Sequence, residues 1–268
     1  MPTLTQSVET QKFLDTVQYS HKGIHKYELI FGEGFISTGG VTTTVHLCEK
    51  YLDGKLPENP KILDVGCGIG GGSVFLADRY NATVVSIDLG TNVINIAKER
   101  YASKKNVSFA VEDAFFAEYK SGEFDMIYSR DAFIHVAEKE KLFNLFYKWL
   151  KPGGFVFISD YCCGEEAVLT DAFKAYVAQR NYSLTTWQNY ERFLTNAGFT
   201  AKGENVTEWF RHILAMEKER LLEPKMKAKF LETYSTEEMN GLIAGWDEKL
   251  VTTTQGNHIW AVFFAVKE

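Results

Sequence analysis

The stretch KILDVGCGIGGGSVFL, residues Lys61–Leu76, is the strongest structural signal in this 268-residue sequence. A short apolar run enters a cluster of five glycines, and the apolar pattern of a helix follows. Glycine permits a tight turn with positive φ and lets a ligand approach the main chain closely. The first turn of the following helix offers free N–H groups and a partial positive charge. The stretch therefore predicts a strand, a tight turn and a helix N-terminus, a pattern that nucleotide-binding folds in general share.

Two acidic residues narrow the kind of ligand. Asp64 lies at the end of the predicted strand, where a carboxylate would repel a phosphate but tolerate a cationic sulfonium. Asp88 ends a second β-branched run, VVSID, where an acid can accept hydrogen bonds from a ribose diol. With no Walker lysine present, these features favour S-adenosylmethionine (AdoMet) over NAD or ATP, and a glycine turn without a ligand is the weaker alternative. The motif DVGCGIGGG resembles motif I of class I AdoMet-dependent methyltransferases.

The composition argues against several classes of protein. An apolar content of 45% supports a substantial core, and the length suits one domain with a cap. The net charge is −6 and no run of lysine and arginine marks a nucleic-acid track, so we expect no nucleic-acid partner. No apolar stretch approaches the ~18 residues of a membrane span, and Met1–Lys12 lacks the apolar core of a secretory signal. We therefore expect a cytoplasmic monomer without stable membrane association.

The four cysteines do not suggest a metal site. Cys48 and Cys67 lie far from the adjacent pair Cys162 and Cys163, and no zinc-type spacing results. Adjacent cysteines are poorly placed to bridge each other, because disulfide geometry is specific. We expect reduced thiols and no bound metal.

From Lys61 onward the sequence alternates between strand and helix patterns. The predicted strands are Lys61–Val65, Thr83–Asp88, Val107–Val111, Phe124–Ser129, Phe155–Asp160, Phe199–Thr207 and His258–Val266. Helical patterns follow the first, second and fourth of them at Gly71–Tyr80, Thr91–Ser103 and Glu138–Leu150. The predicted fold class is α/β, with a Rossmann-like, mainly parallel seven-stranded sheet as in class I methyltransferases and a helical lid and cap.

We predict a single domain with three parts. The parts are the N-terminal lid helices in residues 1–60, the AdoMet-binding core in 61–160, and the substrate-cap helices with the terminal strands in 161–268. Within the cap, the apolar pattern predicts one long amphipathic helix at Glu208–Leu231. Another helix is predicted at Ser235–Val251, interrupted by its two glycines, Gly241 and Gly245.

Polar side chains follow the predicted fourth strand, in the sequence YSRDAFIHV. Arg130, Asp131 and His135 leave the carboxyl end of this strand, the edge at which parallel sheets bind ligands. A lone histidine is more often structural than functional. A cluster of arginine, aspartate and histidine needs solvent, partners or a ligand, so we predict that these residues belong to the site.

A second polar cluster lies in the sequence AYVAQRNY. Tyr176 and Arg180 are an i, i+4 pair on one helix face, and Tyr182 follows closely. A guanidinium with tyrosine hydroxyls suits a phosphate or a carboxylate, although a surface arginine stacked on a ring explains the pattern equally well. Tyr19 and Tyr27 also have a spacing that allows a shared face, either toward a site or within the core.

The chain resembles the phosphoethanolamine N-methyltransferases of protozoa, nematodes and plants. The motifs that carry the resemblance span nearly the full length: QYSHKGIHKYELIFGEGFISTGG, LDVGCGIGGG, IYSRDAFIHV, LKPGG, ISDYC, YVAQRNY and GWDEK. The resemblance implies up to three AdoMet-dependent N-methylations that convert phosphoethanolamine, through its monomethyl and dimethyl forms, to phosphocholine for phosphatidylcholine synthesis. The chain resembles the compact one-domain form, and a separated half of a longer two-domain enzyme is an equal alternative.

The resemblance also implies the binding residues. The implied donor site consists of Tyr19, Ile36, Ser37, Asp64, Gly66, Asp88, Leu89, Asp113, Ala114 and Arg130. Asp88 would bind the ribose hydroxyls and Asp113 the adenine amino group, while Leu89 and Ala114 stand where the family has other aliphatic residues. The implied phosphobase site consists of Tyr19, Tyr27, Asp131, Tyr161, Tyr176, Arg180, Tyr182 and Lys249.

Tyr19 and His135 match the catalytic pair of the family. A protonated alkylammonium has no lone pair with which to attack, so a base must remove its proton. A histidine with a pKa near ~6.5 is suited to this step. Tyr19 is expected to hydrogen-bond to His135 and to close the lid over the site. Asp131 would favour the ammonium form, and the aromatic rings would attract the methylated cation.

Two alternative functions follow from the same residues. One is a class I methyltransferase that acts on another small amine, a sterol or a quinol. The tyrosine, arginine and lysine set argues against an apolar acceptor, which would leave these charges unpaired. The other is a protein that binds AdoMet without catalysis, against which the presence of Asp64, Asp88, Tyr19 and His135 argues.

Overall fold

The computed structural model describes residues 2–268, and its centre is a seven-stranded sheet. The strands are β1 Lys61–Val65, β2 Thr83–Asp88, β3 Val107–Val111, β4 Phe124–Arg130, β5 Leu150–Cys163, β6 Thr200–Asn205 and β7 His258–Val266. Their order is β3-β2-β1-β4-β5-β7-β6. Strands β1 to β5 run parallel, and β7 is antiparallel to both of its neighbours. The predicted seven-stranded class I methyltransferase sheet is confirmed.

Helices surround this sheet in three groups. Those before the sheet are α1 Leu4–Phe13, α2 His21–Phe31 and α3 Gly40–Leu47, with π-helical turns at Leu14–Gln18 and Cys48–Leu52. Those between the parallel strands are α4 Gly71–Tyr80, α5 Thr91–Arg100 and α6 Lys139–Trp149. Those of the cap are α7 Asp171–Gln179, α8 Trp187–Asn196, α9 Thr207–Leu222, α10 Pro224–Leu231 and α11 Thr236–Thr254. Within residues 2–268, no helix combines the length and apolar character that crossing a membrane requires.

The strand order determines where a ligand can bind. The chain builds the sheet outward from β1 through β2 to β3, and then returns to place β4 on the other side of β1. In doubly wound sheets such a reversal opens a crevice at the carboxyl ends of the two central strands. Asp64, Asp88 and Arg130 lie at the carboxyl ends of β1, β2 and β4, so the acids singled out in the sequence lie at this crevice.

Apolar layers on both faces hold the sheet rigid. Successive residues of a strand point to opposite faces, and accordingly Ile62 packs in one apolar cluster and Leu63 in the other. Met126 and Ile127 on β4 divide in the same way, and all four side chains are fully buried. Burial on both faces explains why these strands appear in the sequence as continuous apolar runs.

The prediction of one long helix at Glu208–Leu231 is wrong, because the chain breaks between α9 and α10. Glu223 has an extended backbone, with φ −58° and ψ 137°, and Pro224 begins α10. Proline lacks the N–H that a continuous helix needs and disfavours helical geometry in the residue before it. The amphipathic period continues across the break, which is why the pattern alone suggested one helix.

The predicted interruption of Ser235–Val251 is also wrong, because α11 runs continuously past Gly241 and Gly245. A capping box stabilises its beginning: the Ser235 hydroxyl accepts from the Glu238 N–H, and the Glu238 carboxylate accepts from the Ser235 N–H. Each interior glycine costs only about 1 kcal/mol relative to alanine. Tertiary packing of the buried Trp246 and Met239 on the same helix outweighs that cost.

Candidate active site

A cavity of about 1080 Å³ lies at the carboxyl ends of β1, β2 and β4. Its walls come from the glycine-rich loop, from the lid residues before β1 and from the cap helices. Every residue that the sequence predicted for the donor, phosphobase and catalytic sites lines this cavity. The structure therefore brings the predicted set together, while the role of each member stays a prediction.

The glycine-rich loop needs glycine for steric reasons at two places. Gly66 has a φ of +78°, and a Cβ there would lie 2.2 Å from the Cβ of Ala132 after β4. The N–H of Gly71 donates to the carbonyl of Gly34 at 3.1 Å, and a Cβ on Gly71 would lie 2.2 Å from that oxygen. A side chain at either position would separate segments that now touch, so the loop joins the lid to the sheet.

The two acids at the strand ends have different partners. Asp88 accepts the N–H of Gly68 at 2.9 Å on one oxygen and the N–H of Gly90 at 2.8 Å on the other. Asp64 accepts the hydroxyl of Ser73 at 2.6 Å. Burial raises the pKa of both carboxyls, that of Asp64 to about 7. A cation bound in the cavity would oppose this shift and stabilise both ionised forms.

Helix α1 covers the side of the cavity that holds Asp113. The Ser7 hydroxyl of α1 donates to Asp113 at 2.6 Å, and the N–H of Phe115 donates to the other oxygen at 2.9 Å. The Gln11 side chain donates to the carbonyl of Leu89 at 3.0 Å. These contacts tie the predicted lid directly to residues of the predicted donor site.

Arg130 anchors the loop that leads into α3. Its guanidinium donates to the carbonyl of Thr38 at 2.8 Å, to the carbonyl of Gly40 at 3.3 Å and to the Thr44 hydroxyl at 2.6 Å. The Thr38 hydroxyl also shares a 2.8 Å hydrogen bond with the Tyr161 hydroxyl on β5. The sequence assigned Arg130 to the donor site, and its hydrogen bonds show in addition that it holds this part of the lid against the sheet.

Asp131 has one carboxylate oxygen paired and one unpaired. The paired oxygen accepts the indole N–H of Trp260 at 2.8 Å and the Ser159 hydroxyl at 3.2 Å. The other oxygen is buried and has no hydrogen-bond partner within residues 2–268, with the Arg130 guanidinium 3.9 Å away. Burial raises the pKa of Asp131. Asp131 lines the cavity, and a carboxylate oxygen without a partner is suited to accept from an ammonium group.

His135 lines the cavity and has one ring nitrogen without a hydrogen-bond partner among the described residues. Its Nδ1 lies 3.4 Å from the carbonyl of Asn181, and a carbonyl can only accept, so Nδ1 carries the hydrogen and Nε2 the lone pair. Nε2 is buried and has no hydrogen-bond partner among the described residues. Burial lowers the pKa of His135 to about 4, so the ring is neutral at physiological pH.

The expected hydrogen bond between Tyr19 and His135 is not formed in the structure, since Nε2 is unpaired and Nδ1 faces Asn181. Tyr19 is instead positioned through its backbone, whose carbonyl accepts the Asn92 amide at 3.1 Å. Burial raises the pKa of the Tyr19 hydroxyl, which therefore stays protonated. The aromatic neighbour of His135 is Tyr182; the two rings pack edge to face with their centroids 5.2 Å apart.

Two cations of the cap have no carboxylate partner within residues 2–268. The Arg180 guanidinium lies over the Tyr176 ring, 5.8 Å from its centroid, and Lys249 Nζ lies 5.5 Å from the Tyr161 centroid. Burial opposes protonation of both groups, but the surrounding tyrosine oxygens, including Tyr27, raise the net pKa of each. Two such cations beside tyrosine hydroxyls are suited to bind a group with two negative charges.

Several residues of the site were not predicted from the sequence. Thr38, Thr44, Ser7 and Trp260 act through hydrogen bonds to predicted residues that are far away along the chain. Nothing in their local sequence marks such contacts, because only the folded chain brings the segments together.

The buried imidazole of His258 predicts an acid-sensitive fold. Neither of its nitrogens has a hydrogen-bond partner in the described residues, and its ring lies among those of Tyr161, Phe173, Tyr176 and Phe210. Burial lowers its pKa to about 3. Below pH ~6.5 the unfolded chain therefore binds a proton that the folded chain does not, and stability falls.

Replacing His258 by phenylalanine is expected to remove this acid sensitivity. We expect the wild-type protein to lose about 2 kcal/mol more unfolding free energy between pH 7 and pH 5 than His258→Phe does. Urea unfolding at the two pH values measures this, and taking the difference cancels any pH-independent packing effect. The pKa of His135 is also lowered, but its contribution to the loss of unfolding free energy is the same in both proteins and cancels. Equal losses in the two proteins would contradict the prediction.

Residues 56–210 match the family model of a methyltransferase domain. Together with the strand order and the glycine-rich loop, this match defines the protein as a class I methyltransferase. The chain is 42% identical to phosphoethanolamine N-methyltransferase 1 of Arabidopsis thaliana, over 96% of this chain and 52% of that protein. It is 36% identical to phosphoethanolamine N-methyltransferase of Plasmodium falciparum, over 99% of both chains. The chain belongs to the phosphoethanolamine N-methyltransferase family.

Solved structures of the same family have the same fold. The chain superimposes on phosphoethanolamine N-methyltransferase 2 of Haemonchus contortus with a TM-score of 0.90 at 38% identity, over 96% of this chain and 59% of that one. That protein has been solved with AdoMet, and also with phosphomonomethylethanolamine and S-adenosylhomocysteine. The chain spans about half the length of the Arabidopsis relatives that it matches.

Proposed function

We propose that this protein transfers methyl groups from AdoMet to the nitrogen of phosphoethanolamine and its monomethyl and dimethyl forms, giving phosphocholine for phosphatidylcholine synthesis. The arrangement around the cavity carries the proposal. The same cavity is lined by the glycine-rich loop, by two cations without a carboxylate partner, and by two residues that each have an unpaired polar atom: Arg180, Lys249, Asp131 and His135. A small molecule with a phosphate at one end and an amine at the other matches these charges. The similarity to relatives that bear this name supports the proposal.

The donor half of the cavity is suited to AdoMet. Asp88 would accept from the ribose hydroxyls, and Asp64 would favour the positively charged end of the molecule. AdoMet bound there would supply a methyl group carried on a sulfonium; the amine nitrogen would form the new N–C bond as the C–S bond breaks and S-adenosylhomocysteine leaves. The chain's contribution is to align the two partners and to exclude water, with α1 and the loop anchored by Arg130 covering the site.

The acceptor half of the cavity has to bind the substrate's ammonium group and then remove a proton from it. Arg180 and Lys249 would hold the phosphate, and the unpaired oxygen of Asp131 would orient the nitrogen. The neutral His135 would take the proton on Nε2, after which the amine lone pair is free. A base with a low pKa is weak, but the negative charge of the bound substrate raises the pKa of His135 and strengthens it.

A methyltransferase acting on another small amine, a sterol or a quinol is the alternative. A sterol or quinol would leave the cations Arg180 and Lys249 under an apolar ligand without a carboxylate partner, and buried charges of this kind are costly. A different small amine that lacks a phosphate would leave the two cations unpaired. The structure therefore favours a phosphorylated amine as the acceptor class.

A methyl-transfer assay with labelled AdoMet tests the proposal. Phosphoethanolamine and its monomethyl and dimethyl forms are offered separately, with glycine as the control acceptor. Label transfer to all three phosphobases is expected. Transfer to the methylated forms alone would restrict the proposal to the later steps. Transfer to none of them, in a protein that binds AdoMet, would overturn the acceptor assignment and leave the donor site standing.

Removing either cap cation is expected to weaken acceptor binding selectively. In Arg180→Met and in Lys249→Met, we expect the KM for the phosphobase to rise about 10- to 100-fold, since a hydrogen bond to a charged group contributes about 1.5–3 kcal/mol. The Kd for AdoMet should stay within about twofold, because neither residue contacts the glycine-rich loop. The matched control is Arg192→Met, since Arg192 also lies over an aromatic ring but outside the cavity. A large loss of AdoMet affinity in either variant would show that the cations serve the donor instead.

We further propose that the protein works as a monomer in the cytoplasm, without a nucleic-acid partner. All four cysteines carry free thiols, which suits a reducing compartment. The net charge of −6 disfavours binding to a polyanion. Sedimentation equilibrium of the purified chain tests the monomer, for which a mass of 30.4 kDa is expected.

A further inference from the structure

Lys139 is a buried lysine in an electrostatically unfavourable position. It is 2% exposed, and it is the first residue of α6, where the helix dipole disfavours a positive charge. Within residues 2–268 it has no ion pair with a carboxylate. Burying an ammonium in this way is costly unless other contacts compensate for the lost water. A specific set of acceptors must therefore hold the charge.

The acceptors of Lys139 belong to two different segments beside the cavity. Its Nζ donates to the carbonyl of Val136 at 2.6 Å and to the carbonyl of Ser183 at 2.6 Å, and it lies 5.9 Å from the centroid of the Tyr190 ring. Val136 directly follows His135 at the end of the turn after β4. Ser183 lies in the segment that carries Tyr182, between α7 and α8.

Two more hydrogen bonds join the same segments. The N–H of Ser183 donates to the carbonyl of Ile134 at 2.6 Å, and Nδ1 of His135 faces the carbonyl of Asn181. The bond from Nδ1 is long, at 3.4 Å, so it depends on how closely the two segments approach each other. Lys139 bridges them with two short, charge-assisted bonds and is therefore placed to keep that distance.

We propose that Lys139 is a positioning residue that clamps the His135 turn to the segment 181–183 and thereby keeps Nδ1 protonated and leaves Nε2 as the free, unprotonated nitrogen. The proposal rests on the proposed function for the meaning of that free nitrogen. The positive charge of Lys139 adds to the effect of burial in lowering the pKa of His135, which keeps the ring neutral. The other groups that bear on this pair are the Tyr182 ring beside His135, and Asp160, Cys162 and Cys163 near Lys139.

Nitrogen NMR of the AdoMet-bound protein tests the clamp without requiring turnover. The protein is labelled with ¹⁵N-histidine, the signals of His135 are assigned by comparison with His135→Gln, and the ¹⁵N shifts report which ring nitrogen carries the hydrogen. In the wild-type protein we expect the Nδ1–H tautomer. In Lys139→Met we expect a mixture of tautomers, with unchanged signals from His212, which is exposed and lies outside the cavity. Wild-type His135 with its hydrogen on Nε2 would overturn the proposal.

Kinetics with a matched control separate positioning from general stability. In Lys139→Met we expect kcat to fall at least about tenfold, less than the loss for removing His135 itself, with the KM for AdoMet changed less than twofold. Lys267 is the control, because its Nζ also donates to two backbone carbonyls, of Tyr147 and Leu150, and lies 4.7 Å from a tyrosine centroid. Lys267 is remote from the cavity, so Lys267→Met should have the kcat and the His135 shifts of the wild-type protein.

Lys139→Gln provides the second test if Lys139→Met does not fold. Its amide keeps N–H donors near the two carbonyls and should keep most of the Nδ1–H tautomer. A folded Lys139→Met protein with wild-type kcat and wild-type His135 shifts would overturn the proposal. So would a loss of kcat with unchanged His135 shifts, because the lysine would then act elsewhere. If the phosphobases prove not to be substrates, the NMR result still decides whether Lys139 sets the tautomer.

Discussion

Replacing His135 by glutamine is expected to lower kcat for phosphoethanolamine by about 10²- to 10⁴-fold, the range typical of a lost general base. Glutamine can still donate to the carbonyl of Asn181 but offers no basic nitrogen at the position of Nε2. The ammonium of the acceptor then has no proton acceptor in the cavity. The Kd for AdoMet should change little, since His135 lies at the acceptor side. Steady-state kinetics and a direct binding titration measure the two quantities.

The pH dependence of the His135 variant distinguishes a base from a structural residue. As the pH rises, a larger fraction of the acceptor amine is unprotonated in solution and needs no base. The deficit of His135→Gln should therefore shrink steadily toward alkaline pH. His212→Gln is the control, because His212 is exposed and lies outside the cavity. A deficit that stays constant with pH, or wild-type kcat at neutral pH, would contradict the role as base.

Removing the Asp88 carboxylate is expected to raise the Kd for AdoMet at least about 100-fold. Asp88→Ala loses the two hydrogen bonds to the N–H groups of Gly68 and Gly90, which shape the loops on both sides of the donor site. It also loses the predicted contacts to the ribose. The two predicted bonds to the ribose hydroxyls involve a charged group and contribute about 1.5–3 kcal/mol each, so losing both of them is enough for this change. Isothermal titration gives the affinity directly.

Asp88→Asn is the informative companion variant. Asparagine keeps one acceptor oxygen, so it should retain one of the two loop contacts and show an intermediate Kd. Thermal unfolding without ligand shows whether either variant has lost its fold, which would make the affinity uninterpretable. A folded Asp88→Ala protein with the AdoMet affinity of the wild type would contradict the assignment of Asp88 to the donor site.

The parallel part of the fold was predictable because its signals are local. The glycine cluster at Lys61–Leu76 marks the strand, turn and helix within a few residues, and strands buried on both faces read as short apolar runs. The order of the acids along the chain then places Asp64 and Asp88 at one edge. These features depend on backbone geometry that only a few residues determine, and the structure confirms the resulting sheet.

Other features depend on which distant segments touch, and the sequence contained no local signal for them. The hydrogen bonds of Arg130 to Thr38 and Thr44 join β4 to the lid across the fold, and the Tyr19–His135 hydrogen bond was expected but not found. The break at Pro224 is different, because proline does mark it. There the amphipathic period continues across a residue that cannot donate the helical hydrogen bond, and tertiary packing does not replace that N–H.

The continuity of the cavity has a consequence for inhibitor design. The glycine-rich loop and the Arg180–Lys249 cations line the same space, so one molecule that joins an adenosine to a phosphoalkylamine can occupy both halves. Once its first half is bound, the second binds as an intramolecular partner, at an effective concentration on the order of mM for a short flexible linker. The adenosine half alone would fit many enzymes with this fold. Selectivity for this protein would come from the phosphoalkylamine half, because Arg180 and Lys249 belong to the cap and not to the glycine-rich loop that class I methyltransferases share.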